Sequence, residues 1–228
     1  MAQGVWPERR VALVAGATGL IGRALLARLL VDPLYERVEV LARRPLPADV
    51  ARHDRLTVHV GDMSSLAGAT ADVTDVFVAL GTTIKVAGSQ AAFKSIDHDL
   101  VVAIARAARE AGATRIGVVS ALGADPESSV FYNRVKGEME ADVAALGYAS
   151  VTFAQPSLLL GDRAALGQPE RPIEKLAIRL GTPLMRLVPR SVRPIRADDV
   201  AASLIVAMAS GRPGIHRLAS GEMQARAA

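Results

Sequence analysis

A glycine triplet set between a strand and a helix constrains this chain more than any other feature. Val11–Ala15 is a short apolar run of the kind a strand buried on both faces requires. Gly16-Ala-Thr-Gly19-Leu-Ile-Gly22 follows at once, and Leu25, Leu26, Leu29 and Leu30 then recur at helical spacing until Pro33. Glycine at such a junction permits a tight turn, lets the backbone approach a pyrophosphate and lets the helix sit close on the strand. The helix beyond offers free N–H groups and the positive end of its dipole to phosphate. Arg23-Ala24 after the last glycine departs from the Lys-Ser/Thr of a P-loop. Gly16, Thr18, Gly19, Leu20, Ile21 and Gly22 are therefore the expected seat of a dinucleotide.

The alternation continues to about residue 155. Strands are expected at Arg37–Ala42, Leu56–Val60, Val76–Leu80, Arg115–Val119 and Ser150–Ala154, with helices at Leu20–Val31, Ser89–Ala111 and Ser128–Leu146. Strands separated by helices of that length demand an α/β fold: a Rossmann-like, doubly wound parallel sheet with helices on both faces. The expectation is a single domain, 1–228, in which about 1–155 is the cofactor-binding core and 156–228 a small C-terminal substrate-side extension. That extension is rich in proline (Pro156, Pro169, Pro172, Pro183, Pro189). It carries a helical stretch at Ile173–Leu180, a helix at Asp198–Ala209, a last strand at Ile215–Leu218 and a tail after Ser220 expected to fray.

Strand two ends in Val40-Leu41-Ala42-Arg43-Arg44. A site selective for NAD places an acidic residue there to hold the ribose 2′-hydroxyl, whereas arginine suits a 2′-phosphate. Such a charge-assisted contact contributes about 1.5–3 kcal/mol. NADP(H) is therefore the expected cofactor and NAD(H) the alternative, although two arginines also suit a merely solvated loop. Asp62, beside Met63 just past strand three, is placed either to accept from an adenine amino group or to cap a helix.

Ser120 closes strand five, and Tyr132-Asn-Arg-Val-Lys136 lies on the next expected helix. Four residues apart, Tyr132 and Lys136 share a helix face that borders the apolar stripe of Val135, Met139, Val143 and Leu146. An ammonium about 4 Å from a phenol stabilises the phenolate by about 4 kcal/mol at an effective dielectric of about 20. That readies Tyr132 for acid–base work. The Ser120 hydroxyl, at the carboxyl edge of the sheet, is placed to hold a carbonyl oxygen. Ser120, Tyr132 and Lys136 are the candidate catalytic residues.

Other chemistries are excluded more easily. Ser120 lies in Gly-Val-Val-Ser-Ala, not in the G-x-S-x-G elbow of hydrolases. His53, His59, His98 and His216 are dispersed, with no pair at metal-ligand spacing, so no metal is expected. Cysteine is absent, which removes disulfides and thiol nucleophiles. The net charge of +4 is spread over scattered arginines with only 4% aromatic residues, a pattern that argues against nucleic acid. No apolar run approaches the ~18 residues of a membrane span, and the polar start reads as no signal peptide. A cytoplasmic monomer or homodimer is the resulting expectation.

On these residues the chain resembles the short-chain dehydrogenase/reductase superfamily. More narrowly, it resembles the small atypical branch that includes the Tat-interactive-protein oxidoreductase and bacterial proteins like nucleoside-diphosphate-sugar epimerases. The glycine turn carries the resemblance together with Leu41-Ala-Arg-Arg-Pro45, Ala79-Leu-Gly-Thr-Thr83, Val119-Ser-Ala-Leu-Gly-Ala124, Tyr132-Asn-Arg-Val-Lys-Gly-Glu138 and Gln155-Pro-Ser-Leu158. It implies that Leu80, Gly81, Thr82 and Thr83 face the cofactor's ribose and phosphates, and that the backbone of Pro156, Ser157 and Leu158 faces the nicotinamide carboxamide. It further implies that Tyr132 and Lys136 are the catalytic pair, with Lys136 also on the nicotinamide ribose, and that Ser120 is the family's serine. Two positions depart: Asp97 stands about where many relatives carry asparagine, and Gln155 where they often carry arginine. The first function implied is an NADPH-dependent oxidoreductase acting on a carbonyl or related group of an unidentified small molecule. A non-catalytic NADPH-binding regulator comes second. A sugar-nucleotide epimerase comes third, because the segment after strand six is short for that family's substrate domain.

Overall fold

A computed structural model of the chain describes residues 10–61, 72–160, 189 and 191–226. Its strands are β1 Arg10–Ala15, β2 Tyr35–Ala42, β3 Leu56–Val60, β4 Asp75–Val78, β5 Arg115–Val119, β6 Ser150–Gln155, β7 Leu159–Leu160, β8 Ile195–Arg196 and β9 Gly214–Ala219. Seven of them form one parallel sheet in the order β3-β2-β1-β4-β5-β6-β9, and β7 and β8 pair separately. The order reverses between β1 and β4, where open α/β sheets leave a crevice for ligand. Register sharpens that crevice, since Ala15, the last residue of β1, is level with Leu41 on one side and Val78 on the other.

The helices are α1 Leu20–Leu29, α2 Ala48–Ala51, α3 Ile84–Ala87, α4 Gln90–Lys94, α5 Leu100–Glu110, α6 Phe131–Ala144, α7 Ala197–Ser210 and α8 Ser220–Arg226. Strands buried on both faces need two cores, and two are present. On one face Leu25 and Leu29 of α1 and Leu204 and Met208 of α7 cover Ala12, Val14 and Phe77. On the other, Val101, Ile104, Ala105 and Ala108 of α5 and Met139 and Val143 of α6 cover Leu13, Val76, Val78, Ile116 and Phe153. Gly117 lets α7 come close: a Cβ there would stand 3.0 Å from Leu204 Cδ1 and 3.2 Å from Met208 Cγ.

Two sequence expectations need correction. The pattern over Ser89–Ala111 was continuous, but a π-helical turn, Ser95–Asp99, joins α4 to α5. A single turn with more residues in it is too short to register in an apolar pattern read over the whole segment. The tail after Ser220 does not fray; it forms α8, with Met223 fully buried and its carbonyl accepting from Ser203 Oγ. The helical stretch expected at Ile173–Leu180 lies outside the described residues.

At the amino edge of the sheet, Asp75 is fully buried and fully engaged. Tyr35 Oη donates to it at 2.8 Å, Arg10 Nη1 lies 3.4 Å away and Arg115 Nε pairs with its other oxygen. Burial, with the Asp75 carboxylate alongside, holds the Tyr35 hydroxyl well above the usual phenol range. Arg10 also donates to the last carbonyls of α7, Met208 and Ala209, tying the first strand to a late helix.

Candidate cofactor and catalytic site

The expected site residues that fall among the described ones lie on segments leaving the carboxyl ends of β1, β2, β4, β5 and β6. Asp62 and Met63 lie outside the described residues.

The three glycines of the turn do different work. Gly16 has φ +91, and a Cβ on it would come within 2.6 Å of the Ala79 backbone. A Cβ on Gly22 would come within 1.9 Å of the Gly16 carbonyl oxygen, so that glycine sets how closely α1 packs. Gly19 is different: its Cβ would meet nothing nearer than 3.4 Å, and it caps α1 without a side-chain hydrogen bond. The first turn of α1 carries no acidic residue, and Thr18 is exposed beside it. The result is a bare helix N-terminus in an open cradle, which fits a pyrophosphate. Leu20 is half-buried, while Ile21 turns inward to the core. At the end of β2, Arg43 and Arg44 are both exposed, and neither makes an ion pair among the described residues.

The opposite wall is built by α4, the π turn and α6. Phe93 is fully buried and its ring centroid lies 5.4 Å from that of the half-buried Tyr132. One turn further along both helices, Lys136 Nζ lies 2.7 Å from Asp97 Oδ1, with the two side chains 3% and 1% exposed. That contact is Coulombic; its angles fall outside those of a directed hydrogen bond. The second oxygen, Asp97 Oδ2, accepts from the Thr82 backbone N–H at 2.9 Å, and Gly81 lies directly above, where a Cβ would stand 3.6 Å from Asp97 Oδ1. Thus Asp97 holds both the lysine and the Leu80–Thr83 turn. Thr83 caps α3 through its hydroxyl and leaves the turn to Leu80, Gly81 and Thr82.

An outer ion pair and a histidine–carboxylate contact clasp the same helices. Lys94 Nζ lies 2.8 Å from Glu138 Oε2, and His98 Nε2 lies 3.0 Å from Asp142 Oδ2. The hydrogen bond between them raises the Lys94 ammonium and lowers the Glu138 carboxyl from their ordinary values. Below, Glu140 is buried and accepts from Gln155 Nε2 at 2.8 Å and from Arg217 Nε at 2.9 Å. Gly137 fixes the rotation of α6: a Cβ there would lie 2.2 Å from the Asp125 carbonyl carbon, so the loop before α6 rests directly on the helix.

Ser120 follows β5 and is 5% exposed; its Oγ has no hydrogen-bond partner among the described residues. A buried hydroxyl left unpaired costs about 1–3 kcal/mol, and at the carboxyl edge of the sheet this one is free to meet a ligand atom. The Pro156 carbonyl accepts from Leu122 N and the Leu158 carbonyl from Ile195 N, while Ser157 Oγ donates to the Arg193 carbonyl. This segment is therefore tied to the loops around it, which braces the floor of the crevice.

Sequence reasoning placed Tyr132, Lys136 and Ser120 on one edge but did not find the lysine's partner. Asp97 was visible only as a departure from a familiar asparagine; the π turn that aims it left no periodic signal. Gly137 and Glu140 were likewise not singled out. Among the described residues no cluster of three or more acidic or histidine side chains could hold a metal, and no helix is long and apolar enough to cross a membrane.

Comparison with known proteins agrees with this geometry. A family model described as NAD(P)H-binding matches residues 16–155. The mitochondrial protein fmp52 of Emericella nidulans is 38% identical over 173 residues, covering 73% of this chain and 72% of the relative. Among solved structures, MoeE5 in complex with UDP-glucose and NAD superposes with a TM-score of 0.69 at 19% identity, covering 91% of this chain and 74% of that one. A UDP-N-acetylglucosamine 4-epimerase from Methanobrevibacter ruminantium superposes at 0.71 with 16% identity, covering 93% and 77%. These likenesses show the fold. The expected cytoplasmic location is overturned by the relatives, which are named as mitochondrial. Its premises could not discriminate: an organelle-targeting leader is amphipathic and carries no long apolar run, and lack of cysteine suits many compartments.

Proposed function

We propose, on the premise that this chain belongs to the NAD(P)H-binding family and to the atypical short-chain dehydrogenase/reductases, that it is an NADPH-dependent oxidoreductase acting on a small carbonyl compound. One observation carries the reading: the buried, unpartnered Ser120 Oγ sits on the same sheet edge as Tyr132, Lys136 and the open glycine turn. Bound NADPH supplies a hydride. The chain's own groups supply the rest. Ser120 Oγ donates to the substrate oxygen and fixes its direction. Tyr132 Oη gives that oxygen a proton as the carbonyl becomes an alcohol, or removes one in the reverse direction. The Lys136 ammonium, one helical turn away, faces the phenolate left behind.

Exposed and without ion pairs among the described residues, Arg43 and Arg44 support a preference for the 2′-phosphate. One charge-assisted contact of about 1.5–3 kcal/mol corresponds to an NADPH preference of roughly 10- to 100-fold. Calorimetric titration with NADPH and NADH tests this directly, and replacing both arginines with alanine should erase the difference. Tyr132→Phe should then lower turnover on any carbonyl substrate found by about 10²–10⁴-fold, and full retained turnover would remove the mechanism. A second reading, an NAD-using epimerase or dehydratase, is favoured by the solved neighbours in complex with NAD. Equal affinity for NADH and NADPH is its signature.

A further inference from the structure

We propose that Asp97 is a positioning residue that presents Lys136 to Tyr132 as half of a neutral pair, and so keeps the Tyr132 hydroxyl in its proton-donating form. This rests on the reading of Tyr132 as the acid–base group and deepens it, since the two forms of that group serve opposite directions of the reaction.

The geometry is a ladder of two rungs. Phe93 and Asp97 are four residues apart on one strand of the ladder, Tyr132 and Lys136 four apart on the other. The π turn between Ser95 and Asp99 brings the carboxylate onto the rung. Wider turns of this kind recur where a helix must aim one side chain at a function. An ammonium alone favours the phenolate strongly, but with a carboxylate oxygen 2.7 Å away it becomes a dipole whose field falls off much faster. Among the described residues, the other basic side chains of α4, the π turn and α6 have partners of their own, Arg134 donating to the Ser128 carbonyl and lying over the Phe131 ring. Lys94 is taken by Glu138, His98 by Asp142 and Arg217 by Glu140.

An acid at this position suits reduction. The Tyr132 Oη proton passes to the substrate oxygen while the carbonyl carbon takes hydride from NADPH. The carbonyl is reduced to an alcohol, NADPH is oxidised to NADP+, and the phenolate regains its proton from water. The Thr82 N–H on the other carboxylate oxygen links this charge balance to the turn that faces the cofactor.

The chain provides its own reporter. It has three tyrosines, Tyr35, Tyr132 and Tyr148. Burial pushes Tyr35 and Tyr148 well above the usual phenol range, and substitution at Tyr132 assigns the first rise of tyrosinate absorbance in an alkaline titration. Tyr132→Phe should abolish that first rise. In the cofactor-free protein, Asp97→Asn keeps an acceptor for Thr82 and removes the charge. It should move the first transition down by about one pH unit. Asp97→Glu keeps the charge and should leave it near its wild-type position. An unmoved or raised transition in Asp97→Asn, or an equal drop in Asp97→Glu, overturns the proposal. NADPH titration of the same proteins separates the two ideas. Wild type that fails to bind NADPH sinks the functional reading, whereas the Asp97 proposal stands or falls on the tyrosinate shift.

Discussion

Two buried carboxylates sit at opposite ends of the same sheet and lead different lives. Asp75, at the amino edge, is met by Tyr35, Arg10 and Arg115, so its charge is met on every side the described residues show. Asp97, at the carboxyl edge, has one lysine and one backbone amide, and an unpartnered serine hydroxyl lies on the same edge. Both are essentially inaccessible to water. Burial therefore does not distinguish scaffold from site; saturation does. A buried charge whose partners are complete holds the fold together. Spare polar atoms alone do not mark a site, since Arg10 Nε beside Asp75 and Ser150 Oγ at the amino edge also lack hydrogen-bond partners among the described residues; Asp97 differs in having one side-chain partner and in lying at the edge where the glycine turn opens.

The largest effect should come from breaking the saturated end. Asp75→Ala leaves two guanidinium groups beside a buried tyrosine without their carboxylate, and removing one partner of such a pair costs about 3–5 kcal/mol. Chemical denaturation should show that loss, while cofactor affinity of the folded fraction stays unchanged. Ser120→Ala should invert the pattern. It deletes a hydroxyl with no hydrogen-bond partner among the described residues, so stability should change by less than about 1 kcal/mol, or rise, while turnover falls. A large loss of stability in this variant would mean that the serine is structural and would erase the contrast. The smallest effect belongs to the outer clasp. Lys94 and Glu138 are 44% and 32% exposed, so Glu138→Gln should cost no more than about 0.5 kcal/mol and less in high salt. Its pH signature follows from the directions of the two shifts. The lowered Glu138 contributes at neutral pH and loses that contribution as pH falls through its folded value. The raised Lys94 loses its own as pH climbs through the folded lysine value. Stability measured at neutral pH and at each extreme, in wild type and Glu138→Gln, checks the sign.

How far the sequence carried follows the same divide. Strand runs, the glycine turn and the Tyr132–Lys136 spacing are local patterns with fixed periods, and they appear in the fold where those periods placed them. Ser120 was legible because a strand end is a position, not a partnership. Asp97 was not, because its meaning depends on a lysine thirty-nine positions later and on a single widened turn that no apolar period registers. The α8 helix was missed for a similar reason: Met223 is held by a core to which distant segments contribute, and the terminal residues read alone looked polar and frayed.

The contact at Gly117 bears on how the molecule folds. The family match ends at residue 155, yet Leu204 and Met208 of α7 fill the space left by that glycine in β5, an interior strand of the sheet. A chain stopped at 155 would therefore carry every residue expected to touch the cofactor's glycine turn and still leave a hydrophobic wall of its sheet bare. The described late elements α7, β9 and α8 pack on the sheet and its core and are part of the body that the cofactor-binding strands belong to. Cofactor recognition and the ability to fold have different boundaries along this chain, and the second is the longer.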